Sequence, residues 1–354
     1  MRVLVAMSGG VDSSVAAALL AQEGHEIEGA TLKLWGGASD SGCCSVSDVD
    51  DARRVAQRLG ITHHVFNMAE EFDEKVVNPY VLAHEQGRTP NPCIECNRSI
   101  KFSALIEKAK RLGFDALATG HYAQVSKENG RYVLSRGVDP RKDQSYVLSM
   151  LGQDQLRYLL LPIGSINKAT VREQAVALNL ITAKKPDSQD VCFIESTKGR
   201  MGFLESRLTM HPGTVVDAQS GAVLGEVPAV ELVTIGQRKG LPAAGRRHYV
   251  VDVNLSKKVV AVAPSERAVV DEVLLTASSL TWTDQPLRGG EKIFAQVSAH
   301  GRPRLGQFVV EESVSVRFDR PDSPVAPGQT IGFYSYSEPS RVVGSGIVTK
   351  AVVL

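Results

Sequence analysis

Three patterns in the sequence predict an α/β fold class: an N-terminal Rossmann-like parallel sheet, then a small β-rich central part, then a C-terminal β-barrel. From residue 1 to about 194, short apolar runs alternate with stretches of helical periodicity, as in a parallel sheet covered by helices on both faces. After about residue 199 that periodicity fades, and short β-rich runs separated by Gly, Pro, Asn and Asp take over. Between the first apolar run and an alanine-rich stretch lies Ser8-Gly-Gly-Val-Asp-Ser13, where a strand must turn sharply into a helix. The expected domains are 1–200, 201–270 and 271–354.

In chain order, Val3 to Ala6 reads as the first strand and the alanine-rich run to Gln22 as the first helix. Ile27 to Trp35 reads as a strand, and Ala52, Val55, Ala56 and Leu59 mark one face of a helix that stops at Gly60. Thr62 to Asn67 is a third strand. Leu105, Ile106, Ala109 and Leu112 line a helix closing at Gly113, before the strand-like Ala116 to His121. In the second half, Tyr249 to Val253 and Lys258 to Ala263 form a hairpin through Asn254-Leu-Ser256. Val269 to Thr276, Lys292 to Val297, Gln307 to Val310, Ser313 to Phe318, Thr330 to Tyr336 and Arg341 to Val348 continue the series.

The chain has 354 residues, 43% of them hydrophobic, enough for two or three domains with cores. Forty basic against thirty-nine acidic residues leave a formal charge of +1, so any nucleic-acid surface must be a local patch. With no charged-then-apolar leader before the first strand and no apolar run near the roughly 18 residues a bilayer requires, a soluble cytoplasmic protein that uses no membrane is expected. Five cysteines, Cys43, Cys44, Cys93, Cys96 and Cys192, all fall in the N-terminal part. This odd, lopsided set suits thiol chemistry or a metal better than a disulfide framework.

The Ser8–Ser13 turn is a nucleotide site by its chemistry. Gly9 and Gly10 let the backbone bring N–H groups close to phosphate oxygens. The helix that follows offers unpaired N–H groups and a dipole end that favours an anion by about 0.3 to 1 kcal/mol. Neither a Walker A lysine nor Gly-x-Gly-x-x-Gly is present.

Further motifs are Gly87-Arg-Thr-Pro-Asn-Pro-Cys-Ile-Glu-Cys-Asn-Arg-Ser-Ile-Lys-Phe102, Lys142-Asp-Gln-Ser-Tyr146, Lys185-Pro-Asp-Ser-Gln-Asp-Val-Cys-Phe-Ile194 and Gly236-Gln-Arg-Lys-Gly-Leu241. Together with the Ser8 loop, which resembles the PP-loop of ATP pyrophosphatases, they resemble the tRNA-specific 2-thiouridylase family nearly end to end. The likeness is strongest in the first 195 residues. It implies an ATP-dependent tRNA-uridine 2-sulfurtransferase: ATP, with Mg2+, adenylates the C2 oxygen of the wobble uridine, and sulfur from a cysteine persulfide displaces AMP. The implied tRNAs are those accepting lysine, glutamate and glutamine, and the implied sulfur donor is a cysteine desulfurase or a sulfur-relay protein.

Residue by residue, the resemblance implies that Cys192 carries the persulfide and that Cys96 completes the exchange, through a transient disulfide between them. ATP would be held by Ala6, Met7, Ser8, Gly9, Gly10, Val11, Asp12 and Ser13, with Leu32 and Gly120 near the adenine or ribose. Asn91, Pro92 and Cys93 would meet the flipped base, and Lys142, Asp143 and Gln144 the tRNA. Ala6 replaces a commoner Gly, and Leu32 a commoner Met. Asp12 has two readings, a magnesium-positioning group or an N-terminal helix cap; His121 is given no catalytic role. A helix starting near Asn97 or Ser99 would lower the Cys96 thiol pKa.

Cys93 stands where many relatives carry Asp, and three readings stay open: a benign change, a ligand with Cys96 and Cys192 for an iron–sulfur cluster, or redox tuning of Cys96. Structural zinc lacks a second Cys-x-x-Cys. Cys43-Cys44 reads as a surface loop. Arg238, Lys239, Arg246, Arg247, His248, His300, Arg302 and Arg304 form a candidate phosphate-tracking set, although 297–301 departs from the Arg-rich run of many relatives. Small-molecule PP-loop ligases give no use for the two cysteines. The 4-thiouridine-forming enzymes carry an RNA-binding domain before the loop, for which a loop at Ser8 leaves no room. A nucleotide-regulated adaptor without turnover would show no tRNA-dependent AMP formation.

Overall fold

The computed structural model describes residues 1–34, 45–187, 191–194, 199–242 and 248–353. Cys43, Cys44, Trp35, Arg246, Arg247 and residues 188–190 of the Cys192 motif lie outside them.

Five parallel strands make the first sheet, in the order β3-β2-β1-β4-β7. These are β1 (Arg2–Ala6), β2 (Glu26–Lys33), β3 (His63–Asn67), β4 (Ala116–Ala118) and β7 (Leu159–Leu160). Val3, Leu4 and Val5 are fully buried, as a central strand covered on both faces must be. Helix α1 (Val11–Gln22) is short of bulk, and its buried Val15, Ala16 and Ala17 pack with Val171 and Ala175 of α8 (Lys168–Ala177). Helix α2 (Val46–Leu59) opens on a Ser45–Asp48 capping box and closes on Gly60 at φ +69°, burying Ala52, Val55 and Ala56.

Between β3 and β4 the chain is helical but not uniformly α. After α3 (Ala69–Phe72), residues Asp73–Val77 widen to a π-turn before α4 (Asn78–Glu85). Pro79 lies just beyond, and its missing N–H cannot bond the Lys75 carbonyl. Helix α5 (Pro92–Glu95) runs through a second π-stretch, Cys96–Ala104, into α6 (Leu105–Arg111). Leu105, Ile106 and Ala109 are buried as expected, whereas Leu112 is exposed because the helix has already ended.

A hairpin absent from the sequence expectation follows: β5 (Ala123–Glu128) and β6 (Arg131–Arg136) joined by Asn129-Gly130, both at positive φ. Helices α7 (Gln153–Leu156) and α9 (Gly199–Glu205) complete the helical set. The central sheet, β10-β11-β8-β9, comprises β8 (Gly213–Asp217), β9 (Val223–Val227), β10 (His248–Asn254) and β11 (Val259–Pro264), the last two being the expected hairpin.

In the C-terminal part β12 (Val270–Leu275) pairs with both β16 (Val314–Asp322) and β18 (Val342–Val353). This closes a barrel through β15 (Arg304–Val310), β14 (Lys292–Gln296) and β17 (Thr330–Ser335), with β13 (Thr281–Trp282) appended on β18. Closure removes the sheet's edges. No helix among the described residues is long and apolar enough to cross a membrane.

The β5–β6 hairpin seats the barrel on the first sheet's domain. The Arg136 guanidinium lies 3.7 Å from the Tyr334 ring centre, bonds Asp143 at 2.6 Å and donates to Gln296 Oε1 at 2.9 Å. Tyr146 donates to the Thr330 carbonyl at 2.8 Å, and both Tyr146 and Tyr334 are buried.

Candidate active site

At the carboxyl end of β1 the chain turns through Ala6, Met7, Ser8, Gly9 and Gly10 into α1. Gly9 has φ +68°, and a Cβ there would lie 2.2 Å from the Asp48 carbonyl oxygen of α2. Gly10 is the helix cap and has no side chain to occupy the N–H groups of the first turn, an end that by its donors and dipole favours an anion. Ser13 Oγ accepts from Ser8 N at 3.2 Å, and Ser14 Oγ donates to Gly10 O at 2.7 Å, fixing the curl. Met7 is buried, its carbonyl receiving the Thr31 hydroxyl at 2.8 Å. Leu32 is buried on the neighbouring β2, and Gly120 follows β4 so closely on α1 that a Cβ would stand 2.6 Å from Ser13 N. The loop, Leu32 and Gly120 thus lie at the carboxyl ends of the neighbouring strands β1, β2 and β4.

The capping role for Asp12 is corrected by the structure, because Gly10 holds the cap and the carboxylate turns elsewhere. It accepts from Tyr122 Oη at 2.6 Å and from Lys168 Nζ at 2.7 and 2.8 Å. Lys168 also bonds Asp187 at 2.8 Å. Asp187 is held in addition by Lys142 at 2.7 Å and Arg172 at 2.8 Å. Burial alone would raise the Asp187 pKa, but hydrogen bonds from Lys142 and Lys168 prevail and hold it down at about 2. Two residues earlier, Lys185 bonds Asp48 and Asp51 of α2, each at 2.6 Å.

Sequence reasoning missed Tyr122, Lys168 and Arg172 and gave Asp187 no role. One signal was present: Lys168 opens α8 behind an Asn167 cap, where the dipole disfavours a cation and a carboxylate partner is needed.

The segment 142–146 faces inward more than a charged surface turn does. Lys142 goes to Asp187, while the Asp143 carboxylate, 8% exposed, takes Arg136. Gln144 exchanges hydrogen bonds with the Tyr122 backbone, the residue whose hydroxyl holds Asp12. Ser145 and Tyr146 reach the barrel at Tyr334 and Thr330.

The helix bearing Cys96 begins earlier than the sequence suggests. Asn91 caps it, accepting from Cys93 N at 3.0 Å, with Pro92 at the first position. Cys93, exposed, therefore occupies the first turn, and Cys96, buried, lies beyond it, so the helix N-terminus expected beside Cys96 falls instead at Cys93. Cys192 is half-buried against the same apolar cluster that contains Cys96. Its neighbour Phe193 is buried among Phe72, Tyr80 and Phe203, with ring centres 5.7, 5.6 and 4.9 Å away. Cys93, Cys96 and Cys192 are all thiols. Among the described residues no group of three His, Cys, Asp or Glu side chains is placed to hold a metal ion. Cys93, Cys96 and Cys192 as arranged do not fit an iron–sulfur cluster.

His84, at the far side of Tyr80 with ring centres 4.6 Å apart, is buried, and burial with the Arg200 charge lowers its pKa from 6.5 to about 4. Because the folded value is depressed, its stabilisation is complete above the ordinary value and is lost as pH falls from 6.5 towards 4. In His84→Gln, the loss of unfolding free energy between about pH 7.5 and about pH 5 should shrink by about 2 kcal/mol relative to the parent chain in urea titrations.

Of the candidate phosphate-tracking residues, Arg238, Lys239, His300 and Arg302 are exposed, whereas Arg304 is engaged by Asp322 at 3.2 Å and Ser323.

Family models match the chain along most of its length: a "tRNA methyl transferase HUP domain" over residues 1–196, a "tRNA methyl transferase PRC-barrel domain" over 201–264 and an "Aminomethyltransferase beta-barrel domain" over 272–348. The tRNA-specific 2-thiouridylase MnmA of Carboxydothermus hydrogenoformans is 43% identical, covering 99% of this chain and 98% of that protein. The protein of the same name from Mycobacterium avium is 45% identical over 98% of this chain and 99% of its own. A 4-thiouridine synthetase–RNA complex with bound ATP is a remote structural likeness, with TM-score 0.37 and 19% identity over 54% of this chain and 44% of its own.

Proposed function

The chain belongs to the tRNA-specific 2-thiouridylase family of ATP-dependent sulfurtransferases, and from this premise we propose that Cys192 and Cys96 carry sulfur to a wobble uridine activated in the loop after β1. The loop N–H groups bind the departing pyrophosphate of ATP, supplied as its Mg2+ complex, while the uridine C2 oxygen attacks the α-phosphorus. That step forms the C2–O–P bond and gives pyrophosphate the bonding electrons. A persulfide on Cys192, loaded by a cysteine desulfurase or a relay protein, then attacks C2 with its outer sulfur and expels AMP. The Cys96 thiolate attacks Cys192 Sγ, forming a Cys96–Cys192 disulfide and leaving the outer sulfur on C2 as the thiocarbonyl. External thiol reduces the disulfide for the next turnover.

The observation that supports this reading is convergence: two thiols 96 positions apart in sequence border one apolar cluster, and the segment leading to Cys192 is tied to Asp12 of the loop through Lys168 and Asp187. Ala6, Met7, Ser8, Gly9, Gly10, Val11, Asp12, Ser13, Leu32 and Gly120 form the ATP site in this reading. Asn91, Pro92 and Cys93 meet the extruded base, and the segment Lys142, Asp143 and Gln144 meets tRNA through Lys142, whose ammonium also bonds Asp187. The acceptors are the lysine, glutamate and glutamine tRNAs, and the cytoplasm is where the enzyme works. Thionucleoside analysis of tRNA incubated with the protein, ATP, Mg2+ and a cysteine desulfurase tests the proposal. Formation of 2-thiouridine with matching AMP is expected; tRNA left unmodified would refute it.

Arg238 and Lys239 are exposed and assigned to the phosphate-tracking face. Replacing both with Glu should weaken tRNA binding and flatten the log–log salt dependence by roughly one unit for each phosphate no longer neutralised, as measured by filter binding across a salt series.

A further inference from the structure

The proposed mechanism leaves one cluster unexplained: a half-buried carboxylate, Asp187, gripped by three cations from different parts of the chain. Lys142 comes from the segment after β6, Lys168 from the start of α8, and Arg172 from its next turn. Arg172 further donates to the Ala183 and Lys185 carbonyls at 3.0 and 3.1 Å. Lys185 is itself pinned to Asp48 and Asp51 at the start of α2, beside Gly9. All these bonds fall on residues 183–187, just where the chain sets out towards Cys192. Asp187 is linked to Asp12 of the loop after β1 through the shared ammonium of Lys168.

We propose that Asp187 is a positioning residue for sulfur transfer, anchoring the Cys192-bearing segment to the nucleotide loop and to Lys142, without taking part in uridine adenylation. This rests on the reading of Cys192 as the sulfur carrier. The geometry has a short lever. Cys192 lies five positions beyond Asp187, a span of at most about 18 Å, so the anchor restricts where the sulfur can go. An ionised carboxylate with charge-assisted bonds to three donors is a firm fixing point, and its depressed pKa keeps it charged throughout the physiological range. Because Lys168 holds Asp12 and Asp187 together, the sulfur-carrying segment is registered against the residues that receive ATP. Proximity is the quantity at stake: a displacement of about 1 Å is worth about a hundredfold in rate.

The test is the coupling ratio, 2-thiouridine formed per AMP released, in tRNA reactions supplied with ATP, Mg2+ and a cysteine desulfurase. Asp187→Asn is expected to keep tRNA-dependent AMP release and KM for ATP within about threefold while lowering the ratio at least about tenfold, the adenylate being lost to water. Asp187→Glu, which keeps the charge, should recover part of the ratio. Arg172→Gln removes one of the three donors and should give an intermediate value, and it serves if Asp187→Asn does not fold. An unchanged ratio in both Asp187→Asn and Arg172→Gln, or equal losses of AMP and thionucleoside, would overturn the inference. Absence of thionucleoside from the parent protein would instead refute the sulfur-carrier reading beneath it.

Discussion

Replacing Cys192 with Ser is expected to abolish 2-thiouridine formation, by at least about a thousandfold, while ATP affinity stays within about twofold. A serine hydroxyl cannot hold a transferable sulfane sulfur, yet Cys192 lies on the segment beyond Asp187, not in the loop after β1. Cys96→Ser should fail differently. With no thiolate to attack Cys192 Sγ, the outer sulfur stays bonded to both Cys192 and the base, and tRNA is retained covalently until a reductant such as dithiothreitol releases it. Gel mobility with and without reductant separates the two variants, and thionucleoside made at the parent rate by Cys192→Ser would contradict the assignment. Cys96 is buried, so a serine there also hides a hydroxyl at a cost of about 1 to 3 kcal/mol. Cys96→Ala should show the same trapped species without that cost.

Gly9→Ala should be nearly as damaging, for a reason of shape. Its backbone at φ +68° costs an L-residue about 1 to 2 kcal/mol, and the new methyl would meet the Asp48 carbonyl at 2.2 Å. Neither atom can yield alone, because Asp48 belongs to the capping box that starts α2 and receives Lys185. Relief must come from moving the loop, so tRNA-dependent pyrophosphate release should fall by at least about a hundredfold, equivalent to about 2.7 kcal/mol. Gly24→Ala is the control: its φ of +81° carries the backbone cost, but nothing lies within 4 Å of its Cβ. Normal pyrophosphate release by Gly9→Ala would show that the loop tolerates displacement.

Much of the first sheet is legible in the sequence because its signals are local. Gly60 ends α2 in the left-handed conformation that its place after an apolar periodicity implies, and the Ala52, Val55, Ala56 face is the buried one. The β5–β6 hairpin was equally local, since Asn129-Gly130 is a favoured two-residue turn, but its flanking runs alternate weakly with charged residues. Asn91-Pro92 carries the signature of a cap followed by a proline at the first helical position, and a helix start near Asn97 or Ser99 passes over it. The ionic cluster is of another kind. Asp12 and Lys168 are 156 positions apart, and no periodicity announces such a pair. The packing of Val171 and Ala175 of α8 on Val15, Ala16 and Ala17 of α1 brings the two together.

The seat of Arg136 on Tyr334, with Tyr146 bonded to the Thr330 carbonyl, ties the barrel to the domain of the parallel sheet. Gln144, two residues before Tyr146, bonds the Tyr122 backbone, and Tyr122 bonds Asp12, so the barrel's footing and the loop after β1 share one chain of hydrogen bonds.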